Sequence, residues 1–408
     1  MRRLYVHVGL MKTGTTFLQS VWRTNHAALE AQGVYFPAGP DAPVQRHAVW
    51  DLMGRRPRGA RDDRISGQWK ALTDAVAANS APTVLLSEEY LATVTISQAR
   101  RVVSNFPGHD VHVIVTARDL GRVLASAWQE DVKNDRTKTW TQFVAAVRDP
   151  QARRQDPARG FWRHHDLSAV VDTWAAAAGP GRVHVVTVPP PGTPPGLLLS
   201  RVGRLVGFDP QMLTEPAPRA NESLGASATE VLRRLNERLD HRLNQRQYDR
   251  VVKDALVRYL PPPDESERFV LPADHLGWAT TEAEKLIDHL RRKGYDVVGD
   301  LDELVPSVAG AGRRPEEVSA DAMLEASMEA LTVLAEQYAT AWWQRRRPDV
   351  PRAPAPLRVR ATSGARSIGY RLRRGAADLA DRNRVAARGM GVYLRARESA
   401  RRRAGRRR

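Results

Sequence analysis

Residues 4–8 (LYVHV) run straight into GLMKTGTT at 9–16, and Phe17, Leu18, Val21 and Trp22 follow at helical spacing. A strand that turns through glycines into a helix cannot bury its apolar side chains alone, so further strands must lie beside it. Runs of β-branched residues and leucine at 83–86, 112–116 and 184–188 supply them. Helical patterns stand between and after these runs, over 68–78, 97–104, 120–132, 140–147, 167–178 and 197–206. Strand and helix in alternation imply a parallel sheet covered on both faces. The expected fold is therefore α/β, a three-layer sandwich around a central, mainly parallel sheet. Residues 34–36 read as a short strand, and 37–64, rich in Pro, Gly and Asp, as a long loop. Further helices are expected over 221–243, 274–293 and 323–343.

Composition narrows the class. With 42% hydrophobic and 27% charged residues, the chain is ordinary globular material. The net charge of +17 lies in residues 345–408, where twenty-one arginines face four acids; residues 1–344 are neutral. A basic isoelectric point thus belongs to a tail and does not imply that the body binds nucleic acid, and nothing in the sequence reads bases. The expected organisation is an α/β domain over 1–310, a helical extension over 311–344 and an arginine-rich tail over 345–408. Three forms are open to the tail: disordered, amphipathic on an anionic membrane, or docked on a polyanion. The absence of cysteine excludes disulfides, thiolate metal sites and a cysteine nucleophile. The first residues read as a strand, not a signal peptide, and no run is long enough to span a bilayer, so the expected location is the cytoplasm, with peripheral contact at the inner membrane face open to the tail. Oligomeric state is not legible.

The segment at 9–16 carries the chemistry. A loop between a strand and a helix N-terminus presents backbone amides and a positive dipole end, which favour bound phosphate. A nucleoside-triphosphatase loop would place lysine directly after its second glycine. Here Thr15 stands there and the lysine comes earlier, at Lys12. What remains, KTGTT, resembles the 5′-phosphosulfate loop of sulfotransferases that use 3′-phosphoadenosine-5′-phosphosulfate (PAPS). That resemblance implies that Lys12, Thr13, Gly14, Thr15 and Thr16 hold the donor, with Lys12 also stabilising the transferring group. The blander alternative is an ordinary turn with a solvated lysine and threonines capping the helix.

A second stretch is similar to the same family. VIVTARDLGRVLASAW at 113–128 is a strand, a polar turn and a helix, with Arg118 and Ser126 at the spacing of the residues that hold the donor's 3′-phosphate. Leu120 stands where the family commonly has proline. The stretch 160–174 with the strand after it, and RANESLG at 219–225, also resemble the family; Arg219 is a further candidate for the 3′-phosphate, although a helix cap explains that segment equally well. In all, the resemblance covers about 4–230. It implies a sulfuryl transfer to a hydroxyl of a glycan, glycolipid or small metabolite, with PAPS as co-substrate and no metal.

Such a transfer needs a base for the acceptor proton. The family often carries it where LLSEEY at 85–90 ends the second main strand, which implies Glu89, with Glu88 as the alternate; His47, in the long loop, is a rival base. His7 reads as a packed strand residue, and His164 and His165 as surface. Two other classes stay open: a non-catalytic protein that binds anionic surfaces through its tail, and an ATP-dependent kinase with an aberrant loop.

Overall fold

The computed structural model describes residues 1–346, apart from 40, 57–61, 195, 217–223, 264–266, 270 and 308–313. Arg219 and nearly all of the arginine-rich segment lie outside the described residues. Met1–Tyr338 form one compact unit.

The strand expectations come together in one sheet. Its members are β1 (Arg2–His7), β2 (Val34–Tyr35), β3 (Thr83–Ser87), β4 (His109–Ala117), β5 (Val183–Thr187) and β6 (Asp296–Val298). They lie in the order β2-β3-β1-β4-β5-β6, and every described pairing is parallel, so the sheet is more uniform than expected. Parallel neighbours need crossovers, and helices supply them. Between β1 and β3 stand α1 (Thr15–Thr24), α2 (His26–Ala31), α3 (Gln45–Leu52) and α4 (Gln68–Ala78), then α5 (Ile96–Ser104) before β4. After β4 come α6 (Leu120–Lys133), α7 (Trp140–Arg148), α8 (Ala158–His165) and α9 (Leu167–Ala178), and after β5 α10 (Leu197–Val206), α11 (Ala226–Leu239), α12 (Gln245–Tyr248) and α13 (Ala273–Lys293). The helix α14 (Ala320–Arg346) follows β6.

Period-two alternation assigns side chains to the two faces. Leu4, Val6, Val84, Leu86, Val113 and Val115 pack on one side with Trp69 of α4, Val102 of α5, Trp174 of α9 and Ile287 of α13. Tyr5, Leu85 and Ile114 pack on the other with Leu18 and Trp22 of α1 and Leu199 and Val202 of α10. Because both faces are covered, the central strands are apolar throughout, as parallel strands must be. A third cluster, with Trp128, Trp140, Phe143, Phe161 and Tyr248 at its centre, joins α6, α7, α8 and α12 beside the sheet.

The expectation of a long loop over 37–64 is corrected. Within it, α3 buries Ala48, Val49 and Leu52 against α4 and the sheet. Tertiary burial sustains a helix too short to stand by itself. The helix expected over 221–243 is likewise shorter, α11 ending at Leu239. Among the described residues no helix is long and apolar enough to cross a membrane.

Candidate active site

β1 delivers its chain into the loop at the carboxyl end of the sheet, between β3 and β4. Backbone bonds between the Gly9–Leu10 segment and Thr116 extend the β1–β4 ladder into the loop: Leu10 N donates to Thr116 O at 3.0 Å, and Thr116 N to Gly9 O at 2.6 Å. Gly9 and Gly14 have φ of 109° and 87°, a region that glycine enters without strain, and Lys12 enters the left-handed region at 63°. A Cβ on Gly14 would stand 2.6 Å from Cδ2 of Leu198, because α10 packs directly on the loop. Gly14→Ala is therefore expected to cost about 1–2 kcal/mol through backbone strain alone, before Leu198 moves aside. A urea midpoint equal to that of the native chain would contradict this.

The loop threonines divide. The Thr13 and Thr15 hydroxyls both donate to Leu10 O, at 2.5 and 2.9 Å, and Thr13 Oγ1 also lies 2.6 Å from Thr116 Oγ1. Both side chains are buried and brace the loop from within. Their hydroxyls are engaged within the loop, and of its threonines only Thr16 is exposed. Nor do threonines cap α1: its N-cap is Gly14, with no side-chain hydrogen bond. Among the described residues the amides of Gly14, Thr15 and Thr16 have no acceptor within the protein. Three donors at the positive end of a helix are thus left to a ligand.

Opposite the loop runs α6. Asp119 caps it, accepting from the Arg122 amide at 2.9 Å and pairing with the Arg122 side chain. Asp119 is thereby committed to Arg122. Arg118 Nη1 instead donates to the Lys12 carbonyl at 3.1 Å, and its Nε is buried without a partner. Burial and the neighbouring Arg122 lower its pKa to about 10, with Asp119 opposing. A buried guanidinium lacking a carboxylate is costly in isolation and suited to an anion. Ser126 lies on the same helix and lines the same cleft.

Helical spacing carries that line on to Glu130, four residues past Ser126 and absent from the sequence reading. Its Oε2 accepts from Lys12 Nζ at 2.7 Å. Burial pushes the Glu130 carboxyl up, but Lys12, by charge and hydrogen bond, holds it below its ordinary range. The i, i+4 spacing was the available signal; which face of α6 meets the loop was not legible without the fold.

β3 brings the carboxylates. It ends at Ser87, and the chain then coils into a short 3-10 turn, Glu89–Thr93, so strict alternation lapses and both Glu88 and Glu89 line the cleft. Glu89 lies over the loop: its Cα and Cβ stand 3.6 Å from where a Gly9 Cβ would be. Burial raises its pKa, against the pull of Arg46 and Lys12. Glu88 is more deeply buried, pairs with Arg46 at 3.6 Å, and is raised to about 7, chiefly by burial, with Arg46 opposing and Glu89 adding to it. His47, on α3, also lines the cleft, its ring 5.5 Å from Trp50. His7 is buried as expected, with Ser87 Oγ at 2.8 Å and Thr116 Oγ1 at 3.2 Å, and burial lowers it to about 3.

The surface reading of His164 and His165 is corrected. Packing of α8 against the Glu89–Thr93 turn brings both to the cleft. Burial depresses both, His165 to about 3, with the charges of His164 and Lys12 adding to the effect. Their polarity in sequence gave no sign of this. The whole cleft encloses about 1810 Å³, more than the roughly 300–1,000 Å³ of a site for one small molecule, so two ligands can share it. Among the described residues no group of three or more His, Asp or Glu could hold a metal ion.

No protein-family model matches the chain, and no curated protein matches it. A solved structure of a sulfotransferase from Alicyclobacillus acidocaldarius is similar over 60% of this chain and 99% of its own, at 16% identity and a TM-score of 0.35. At that identity and degree of superposition the likeness carries no chemistry across.

Proposed function

We propose that the cleft transfers a sulfuryl group from PAPS to an acceptor hydroxyl. One observation carries this reading: Lys12 and the free α1 amides share a cleft with Arg118 and Ser126, so that cationic and N–H donor groups stand ready for phosphates at two separate points, as a donor phosphorylated at both 5′ and 3′ positions requires. The KTGTT loop and the Arg118–Ser126 spacing support the same assignment.

In this scheme the 5′-phosphosulfate lies over Gly14, Thr15 and Thr16 and against Lys12, with Thr13 and Thr15 bracing the loop beneath. Glu89 takes the proton from the acceptor hydroxyl as its oxygen bonds to sulfur. The bond from sulfur to the bridging phosphate oxygen breaks, and adenosine 3′,5′-bisphosphate leaves with that electron pair. Lys12 and the amides stabilise the charge that builds on the leaving oxygen. Lys12 must first exchange Glu130 for the donor. The acceptor is read as a glycan, glycolipid or small metabolite. Residues 1–310 are assigned to this chemistry, and 311–344 and 345–408 to a helical extension and a tail for anionic surfaces.

Calorimetric titration with adenosine 3′,5′-bisphosphate, alongside ATP with magnesium, tests the donor half. The bisphosphate is expected to bind and ATP not to, and a Lys12→Ala, Arg118→Ala double variant is expected to lose about 3 kcal/mol or more of binding, on the scale of lost contacts to charged groups. Binding of ATP with no binding of the bisphosphate would replace sulfuryl by phosphoryl transfer. Binding of neither would leave the tail as the functional part.

A further inference from the structure

The half of the cleft away from α6 has a character of its own. It is built where the end of α3, the Glu89–Thr93 turn and α8 meet. Trp50 stands edge-on to Tyr90 at 6.1 Å, and the Arg55 guanidinium lies over the Tyr90 ring at 4.7 Å. All three line the cleft, together with His165.

Neighbouring charges are matched among themselves. Arg46 has Glu88 at 3.6 Å, Arg56 has Asp51 at 3.4 Å, Lys12 has Glu130 at 2.7 Å, and Arg153 stacks on Trp162 at 4.3 Å. Glu89 lies within reach of the charges of Arg46 and Lys12. Arg55 has no carboxylate among the described residues; its charge is felt instead at His164. One Nη of Arg55, Nε1 of Trp50 and Nδ1 of His165 are also buried without a hydrogen-bond partner. Unpartnered buried polar atoms are rare enough to call for an explanation, and here three belong to neighbouring elements of one cleft wall. Two can only donate, and a guanidinium can only be a cation. An aromatic surface beside them suits the face of a six-membered ring.

We propose that Trp50, Arg55, Tyr90 and His165 form a second subsite that takes an oxyanion carried on a six-membered ring, so that the acceptor is itself acidic. This rests on the sulfuryl-transfer reading for the word acceptor, but the subsite itself does not. A carboxylate on a pyranose and a carboxylate on an aryl ring present the same chemistry, and the probes separate them.

The full chain is titrated with methyl β-D-glucuronide and 4-hydroxybenzoate, and with their neutral twins methyl β-D-glucoside and methyl 4-hydroxybenzoate. Each is run with and without saturating adenosine 3′,5′-bisphosphate, on the native chain and on Arg55→Gln and Trp50→Phe. At least one acid is expected to bind about tenfold more tightly than its twin, a difference within the range of a hydrogen bond to a charged group. Arg55→Gln is expected to bring the pair within about twofold, Trp50→Phe to weaken the acid while keeping the ring stacking, and neither to change bisphosphate affinity, which also shows that the variants are folded. Acids that bind no better than their twins, or a preference that survives Arg55→Gln, would overturn the proposal, as would no binding by any probe. If the preference appears but the bisphosphate does not bind, the donor reading falls and the anion subsite stands. If the bisphosphate binds without any preference, the reverse holds.

Discussion

Glu89→Gln is expected to slow release of adenosine 3′,5′-bisphosphate from PAPS by about 10²–10⁴-fold, the range a positioned general base supplies, while bisphosphate affinity stays within about twofold. The residue is singled out by place more than by type. Glu89 lies over Gly9 and within the field of Lys12, whereas Glu88 is turned toward Arg46 and its own turn. Burial raises the Glu89 pKa, which brings its basicity nearer the working pH. The sign follows: the base must be ionised, so the rate should fall as pH drops through this raised pKa, and the Gln variant should lose that limb. Full turnover by Glu89→Gln, with the acid limb intact, would remove Glu89 as the base and turn attention to His47.

Glu88→Gln should leave its mark on stability. Glu88 is 4% exposed, and the pKa of its carboxyl is raised from 4.5 to about 7, by burial first, against Arg46 and with Glu89. A pKa higher in the folded than in the unfolded chain means that stability is fully present below 4.5 and is lost as pH rises through 7. At pH 8 the ionised carboxylate costs about 3 kcal/mol relative to its neutral form, at roughly 1.4 kcal/mol per pKa unit. Glutamine keeps the neutral shape, and the partner it abandons, Arg46, is half exposed and readily solvated. Urea unfolding should therefore show the variant more stable by up to about 3 kcal/mol at pH 8, shrinking to about a quarter of that by pH 5. An equal shift at both pH values would mean that the charge is not what the site pays to hold.

The layered α/β architecture was legible because it rests on period-two and period-3.6 patterns that local sequence carries in full. β1, β3, β4 and β5 stand where the apolar runs predict them, and β2 matches the short run at 34–36. β6 did not announce itself: three residues, Asp296–Val298, show no period, and only pairing with β5 makes them a strand. α3 was hidden by the prolines and glycines around it, since its eight residues carry too few turns to show a stripe. The site divides along the same line. Lys12, Gly14, Arg118 and Ser126 sit in motifs whose spacing is local, and they line one cleft. Arg55 and Glu130 lie in no motif, nothing in the stretch 160–174 marks His164 and His165 as cleft residues, and the place of all four depends on how α6, α8 and the end of α3 pack. The inward turn of Thr13 and Thr15 was beyond a sequence reading too, since a hydroxyl near phosphate and a hydroxyl bracing a loop look alike in one dimension.

The hydrogen bond from Arg118 to the Lys12 carbonyl has a consequence for ligand recognition. It clamps the loop to the turn between β4 and α6 that carries Arg118, and the Thr13 and Thr15 bonds stiffen it from below. The entropy of ordering this backbone is given up when the chain folds, not when a ligand arrives. If the proposed donor assignment holds, the nucleotide meets a cradle already ordered, and differences in affinity between related nucleotides should report the contacts each one makes, undiluted by a loop that must first be frozen.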